Sequence, residues 1–308
     1  MSALRLQNVS KSFGKVQAVK DLSLTINEGE IFGLLGPNGA GKTTTIRMIM
    51  QIILPDSGNI SLFNQPISPN LLDRVGYLPE ERGLYGKMKV LEELIFFGRL
   101  KGMDVKTAES RAKEWLERFE MTDVHSKKVE ELSKGNQQKI QLIVSMLHNP
   151  DLIILDEPFS GLDPVNAQLV KDIMLEKKRE GCSIIFSTHQ MDQVEKLCDA
   201  ICLIDHGEAV LQGQLKEIKK QFGKNTVLLE YEGNHEFLDR LDYVRKIDDY
   251  GNYAEIYLND SDKSQEFLQY AVQHVSIYRF EVIEPSLNEI FIETVTRGGN
   301  GEKVTDRH

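Results

Sequence analysis

One run constrains this chain more than any other: Ile31-Phe-Gly-Leu-Leu-Gly-Pro-Asn-Gly-Ala-Gly-Lys-Thr-Thr-Thr45. Ile31 to Leu35 is continuously apolar and reads as a buried strand, and Gly41 to about Gln51 reads as a helix. Between them lie Gly36, Pro37, Asn38, Gly39, Ala40, Gly41, Lys42 and Thr43, the spacing of a phosphate-cradling loop. Glycines at 36, 39 and 41 let successive backbone N–H groups turn inward and form an anion nest. The following helix adds the positive end of its dipole. Lys42 supplies a mobile charge for β- and γ-phosphates, and the Thr43 hydroxyl, followed by Thr44, is a hard ligand for Mg²⁺. This stretch implies a nucleoside triphosphate and leaves open what its energy is used for.

The 308 residues are enough for two domains. With 41% hydrophobic and 27% charged residues, the composition is that of an ordinary globular protein. No apolar run approaches the roughly 18 residues of a spanning helix, and the start Met-Ser-Ala-Leu-Arg-Leu-Gln lacks a signal-peptide core. A cytoplasmic protein is therefore expected. The net charge of −10 disfavours nucleic acid as a partner. Cys182, Cys198 and Cys202 show no metal-ligand spacing and are expected to be buried thiols.

Ahead of the loop, Leu4–Ser10, Val16–Ala18 and Leu22–Ile26 read as short strands of an antiparallel flap. Phe13 stands at the first turn, either to stack on a purine or to pack in the core. Behind it come strands at Asn59–Phe63 and Val75–Leu78, the latter ending in Pro79-Glu80-Glu81. Helical spacing follows over Val90–Lys101 and Lys106–Phe119, broken at Gly102. Ser133 is placed to cap a helix running to about His148.

Leu152-Ile-Ile-Leu-Asp-Glu157 is a buried strand ending in two acids, at the end where parallel sheets place ligands. Asp156 would hold Mg²⁺ and Glu157 would polarise the attacking water; alternatively one acid caps the next helix and the other is solvated. Pro164 opens a helix to about Arg179, and the strand Ser183–Ser187 ends in Thr188-His189 at the same sheet end, where His189 either reaches a γ-phosphate or is structural. A strand at Ala200–Asp205, a turn at His206-Gly207, a strand at Glu208–Leu211 and a helix near Gln214–Phe222 close this part.

In this order the motifs resemble the nucleotide-binding subunit of an ABC transporter, over roughly Leu4 to Phe222. Gly36–Thr43 resembles its Walker A, Leu132-Ser-Lys-Gly-Asn-Gln-Gln138 its signature, and Leu152–Asp156 its Walker B, with Glu157 as catalytic base. Ser160-Gly-Leu-Asp163 resembles the D-loop, His189 the switch histidine and Phe13 the adenine-stacking aromatic. The resemblance implies an α/β P-loop ATPase domain at residues 1–222, built of a parallel core sheet, an antiparallel β flap and a helical subdomain at about 81–149. It also implies ATP and Mg²⁺ as cofactors and ATP hydrolysis coupled to transport.

The family pairs two such domains head to tail, as a homodimer or heterodimer. Ser133 and Gly135, together with Asp163, then serve the partner's nucleotide, and a separate integral membrane permease is driven from the cytoplasmic face of the membrane. Leu84 and Tyr85 fall where the family docks that permease, and are either contacts for it or ordinary core residues. Two residues depart from the pattern: Lys134 replaces a signature glycine, and Glu80 takes the place of the Q-loop glutamine. Glu80 is expected either to keep a metal contact and tighten the Mg²⁺ requirement or to turn to solvent. An alternative is a soluble ABC-family ATPase acting on ribosomes or DNA, and a third is a regulator that binds nucleotide without turnover. The single cassette, the acidic balance and the presence of Glu157 and His189 favour the transporter subunit.

The tail reads strand (Thr226–Tyr231), helix (His235–Leu241), strands (Tyr243–Asp248, Tyr253–Leu258), helix (Asp262–Gln273) and strand (Ser276–Glu284). That order suggests a ferredoxin-like α+β domain at 223–296. Ser286 and Glu289 have capping-box spacing ahead of a last helix, and 297–308 is expected to be a disordered tail. Such tails resemble those of bacterial sodium-efflux and drug-export ABC-2-type ATPase subunits.

Overall fold

The computed structural model describes residues 1–81, 83–222, 226–233, 238 and 241–298. Two compact units emerge, Met1–Gln212 and Gly213–His308.

The first unit opens with an antiparallel hairpin, β1 (Ser2–Phe13) and β2 (Val16–Asn27). The expected three short strands are instead two strands of twelve residues, because register shifts near Leu6, Val9 and Lys11 break the alternation without ending the ladder. Asn8 and Asp21 take positive φ (49° and 42°) on the two strands. β4 (Ser57–Leu62) and β5 (Gln65–Pro66) extend this sheet in the order β2-β1-β4-β5.

The central sheet has the order β10-β9-β3-β8-β7-β6. It is made by β3 (Ile31–Leu35), β6 (Val75–Leu78), β7 (Leu152–Asp156), β8 (Ser183–Thr188), β9 (Ala200–Asp205) and β10 (Glu208–Gln214). Neighbours from β6 through β9 pair in parallel. β3, β7 and β8 are buried along their whole length, as expected of parallel strands covered on both faces. A two-residue turn with positive φ at His206 and Gly207 (46° and 82°) joins β9 to β10.

Helices cover the sheet. α1 (Lys42–Ile49) follows the loop, α2 (Pro69–Leu72) is a single turn, and α6 (Pro164–Arg179) and α7 (Met191–Leu197) flank β8. α7 has no counterpart among the elements expected from sequence. The inserted α3 (Val90–Leu100), α4 (Val105–Arg118) and α5 (Lys134–Met146) pack on one another closely. A Cβ built on Gly98 of α3 would lie 3.0 Å from Ala108 of α4 and 3.2 Å from Leu147 beyond α5. Asp104 caps α4 by accepting the Thr107 N–H at 3.0 Å.

In the second unit, β11 (Thr226–Glu232), β12 (Val244–Asp249), β13 (Tyr253–Leu258) and β14 (Ser276–Ile283) form an antiparallel sheet in the order β12-β13-β11-β14. α9 (Ser264–Val272) packs Phe267 and Ala271 onto its Val227, Leu229 and Ile256 face. α8 (Leu215–Phe222), expected in the first domain, belongs to this unit and touches α10 (Leu287–Gly298). α10 starts in a reciprocal capping box: the Ser286 N–H donates to Glu289 Oε2 at 2.6 Å, and the Glu289 N–H donates to Ser286 Oγ at 3.2 Å. The helix expected over His235–Leu241 lies largely outside the described residues, as does most of the tail from 297. Among the described residues, no helix is long and apolar enough to cross a membrane.

Burial pushes the thiols of Cys182 and Cys202 up to about 12, and that of Cys198 well above its usual range. All three cysteines are free.

Candidate functional site

The loop after β3 and the start of α1 make one wall of a cleft in the first unit. Its lining includes Ala18, Asn38, Gly39, Gly41 to Thr44, Glu80, Asp156 and Glu157. Two glycines are required here by geometry. Gly36 has φ +147° and a Cβ on it would lie 2.1 Å from the Ile204 carbonyl oxygen; Gly41 has φ +111° and would bring a Cβ to 2.4 Å from that of Ala18. The loop is thus wedged between the end of β9 and the start of β2. Pro37 and Ala40 shape its turn, the Ala40 N–H donating to Pro37 O at 3.2 Å.

Lys42 Nζ donates to the carbonyls of Gly36 at 2.7 Å and Pro37 at 3.1 Å. Burial lowers its pKa, opposed by the negative charges of Glu157, Asp156 and Glu80. The cleft therefore sets one ammonium against three carboxylates, a field suited to an incoming cation.

Asp156 ends β7 and is 1% exposed. Its Oδ1 accepts the Ser187 hydroxyl, while Oδ2 is buried with no hydrogen-bond partner. Glu157 follows with φ +50°, and both its oxygens are engaged: Oε1 lies 2.9 Å from His189 Nδ1 and Oε2 accepts Thr188 Oγ1 at 3.3 Å. The alternative in which one acid caps a helix does not hold, because α6 is capped by Asp163. Thr43 Oγ1 donates to Glu80 Oε2 at 3.5 Å. Tyr77, beneath them on β6, has its phenol pushed up to about 12 by burial and then by Asp156.

Thr43 Oγ1, Glu80 and Asp156 Oδ2 are hard oxygen donors, and the orphaned, buried Oδ2 fits a divalent cation such as Mg²⁺. Among the described residues, no group of three or more His, Cys, Asp or Glu is placed to hold a metal unaided. Phosphate oxygens would have to complete the shell.

The remaining sequence candidates lie apart. Ser133 caps α5 by accepting the Asn136 N–H at 3.2 Å. A Cβ on Gly135 would lie 3.4 Å from the Gly161 carbonyl oxygen, so the α5 start abuts the loop before α6. Asp163 caps α6, accepting the Asn166 N–H at 2.9 Å, and this bond holds its carboxyl below the usual range. None of these three lines the cleft. Phe13 is 50% exposed at the end of β1, with Lys11 Nζ 5.7 Å from its ring centre, so it is not a core residue. Tyr85 is exposed too and meets Phe96 and Phe97 edge and face.

Ser187, Thr188 and Ala18 join the site without having been singled out by the sequence motifs. A signal for the first two is present in Ser187-Thr188-His189, but the side-by-side register of Asp156 with Ser187 requires the strand order.

Residues 19–160 match the family described as ABC transporter, and residues 213–295 match the C-terminal domain of ATP-binding protein DrrA1-3-like. The uncharacterized ABC transporter ATP-binding protein YhaQ of Bacillus subtilis (strain 168) is 47% identical over 95% of this chain and 98% of its own length. The linearmycin resistance ATP-binding protein LnrL of the same organism is 32% identical over 96% and 98%. A solved ATP binding subunit of an ABC transporter superposes with a TM-score of 0.68 at 31% identity, covering 72% of this chain and 94% of that one. With the P-loop and the paired acids lining one cleft, the histidine in contact with the second acid, and a relative matched over nearly its whole length, the chain belongs to the ATP-binding proteins of ABC transporters.

Proposed function

We propose that this chain hydrolyses ATP with Mg²⁺ and that the energy drives an exporter whose membrane-spanning part is a separate chain. The observation carrying the reading is the Glu157 carboxylate, clamped by His189 and Thr188 one residue beyond the half-free Asp156 and on the same cleft as Lys42. The loop amides and Lys42 would bind the phosphates, Lys42 leaving its Gly36 and Pro37 carbonyls to do so. Thr43, Asp156 and Glu80 would hold Mg²⁺, which when bound neutralises charge on the β- and γ-phosphates. Glu157 would orient and polarise the attacking water, with His189 fixing its carboxylate. Phe13, half-exposed at the end of β1, would stack on the base.

Ser133, Gly135 and Asp163 lie outside the cleft in one chain. In our reading they complete the nucleotide site of a second nucleotide-binding subunit, which makes ATP the agent that closes the pair and its hydrolysis the step that reopens it. Export is supported by relatives whose names include linearmycin resistance and Nod factor export. The test is to trap Glu157→Gln with ATP in solubilised membranes and identify what accompanies it. An integral membrane protein is expected; ribosomal proteins or DNA in its place would overturn the reading.

A further inference from the structure

Asp156 and Glu157 are adjacent, yet both line one cleft, although successive residues of a strand point to opposite faces. The chain resolves this by ending β7 at Asp156 and turning Glu157 into the left-handed region, with φ +50°. One residue holds both halves of that arrangement. Ser187 Oγ donates to Asp156 Oδ1; the Glu157 N–H donates to Ser187 O at 3.1 Å and lies 3.2 Å from Ser187 Oγ. Ser187 is fully buried, and the parallel register sets it beside Asp156.

The direction of these bonds is fixed by chemistry. An ionised carboxylate accepts only and an amide N–H donates only, so the single hydroxyl proton goes to Asp156 and a lone pair faces Glu157. Oδ1 is thereby occupied and Oδ2 is left over. We infer that Ser187 is the positioning residue of the acid pair: it fixes the Asp156 carboxylate so that Oδ2 serves the metal, and it holds the turn that presents Glu157 to the water. This rests on the metal-dependent ATPase reading above. Ser187 is fully buried and does not line the cleft; it acts through the two acids, in the manner of outer-shell groups that orient metal ligands.

The test uses the full chain, Mn²⁺ as the probe and a non-hydrolysable ATP analogue, with Mn²⁺ binding followed by electron paramagnetic resonance. Ser187→Ala is expected to weaken Mn²⁺ binding to the nucleotide complex by about tenfold, within the range for loss of such orienting groups. Its affinity for the analogue in EDTA should be unchanged, since the loop and Lys42 are intact. Ser187→Thr, which keeps the hydroxyl, should restore Mn²⁺ binding. Wild-type Mn²⁺ affinity in Ser187→Ala, a Thr variant as weak as the Ala variant, or an equal loss in EDTA would each overturn the positioning role while leaving the ATPase reading standing. A wild-type chain that binds no analogue under either condition would overturn both.

Discussion

His189 Nδ1 lies 2.9 Å from Glu157 Oε1, on the carboxylate whose other oxygen accepts the Thr188 hydroxyl at 3.3 Å. Two consecutive residues at the end of β8 thus clamp one acid at the end of β7. A carboxylate held this way loses rotational freedom before any water arrives, which is what a positioned general base requires. Glu157→Gln preserves the shape and removes the proposed base. Steady-state phosphate release should fall by about 10²- to 10⁴-fold while equilibrium ATP binding stays within about twofold. A fully active variant would remove the base assignment. His189→Ala frees one oxygen only and should lower turnover without changing ATP affinity.

Glu80 adds a third negative charge to the cleft, with its carboxylate 3.5 Å from the Thr43 hydroxyl. A nucleotide arriving without metal brings its phosphate charge against Glu80, Asp156 and Glu157, with Lys42 as the one cation lining the cleft among the described residues. At a separation of about 7 Å and an effective dielectric of about 20, one charge pair is worth about 2 kcal/mol before screening. Glu80→Gln is therefore expected to tighten ATP binding in EDTA by about fivefold and to narrow the gap between Mg²⁺ and EDTA. Fluorescent-nucleotide titrations in the two buffers check this; an unchanged ratio would place Glu80 outside the metal's reach.

Much of this arrangement is legible in the residues alone. The buried strands at Ile31, Leu152 and Ser183 announce themselves as short apolar runs, and the loop between Gly36 and Thr43 is tied to its chemistry by residue type. What stays hidden depends on strand order and on bulges. Ser187 meets Asp156 only because β8 lies between β3 and β7, a relation between residues 31 positions apart. The long hairpin reads as fragments because its bulges reset the alternation at Val9 and Lys11. The helix at Met191 escapes a periodicity reading because it is short and half polar.

Glu93 is a fully buried carboxylate on α3 that accepts the Tyr85 N–H at 2.6 Å and leaves Oε2 without a partner. Burial pushes its pKa up to about 6, and the Tyr85 bond only partly opposes this. The folded state then holds the proton more tightly than the unfolded chain, so the Glu93 contribution is present below about 4.5 and is lost as pH rises through about 6. Glu93→Gln removes the charge that must be buried at neutral pH. Relative to wild type, its stability should improve by about 1 kcal/mol between pH 5 and pH 7.5, read from urea midpoints at the two values.

His148, just beyond α5, gives the opposite slope. Burial, reinforced by the nearby positive charge of Lys101, lowers its pKa to about 4. The folded state therefore favours the neutral ring, while the unfolded chain takes up a proton near 6.5. The stability it contributes is complete above about 6.5 and is lost as pH falls toward about 4, which amounts to about 2 kcal/mol between pH 7.5 and pH 5. Glu93 titrates in an overlapping window with the reverse sign, so wild-type stability should change less over this range than either group alone dictates. His148→Gln removes the stronger of these two pH dependences and leaves Glu93 in place. Its stability should therefore rise on acidification from pH 7.5 to pH 5, where wild type falls. Urea melts of wild type, His148→Gln and the double variant with Glu93→Gln decide this: a single variant whose change in stability between the two pH values matches that of wild type would mean that His148 accepts its proton in the folded chain.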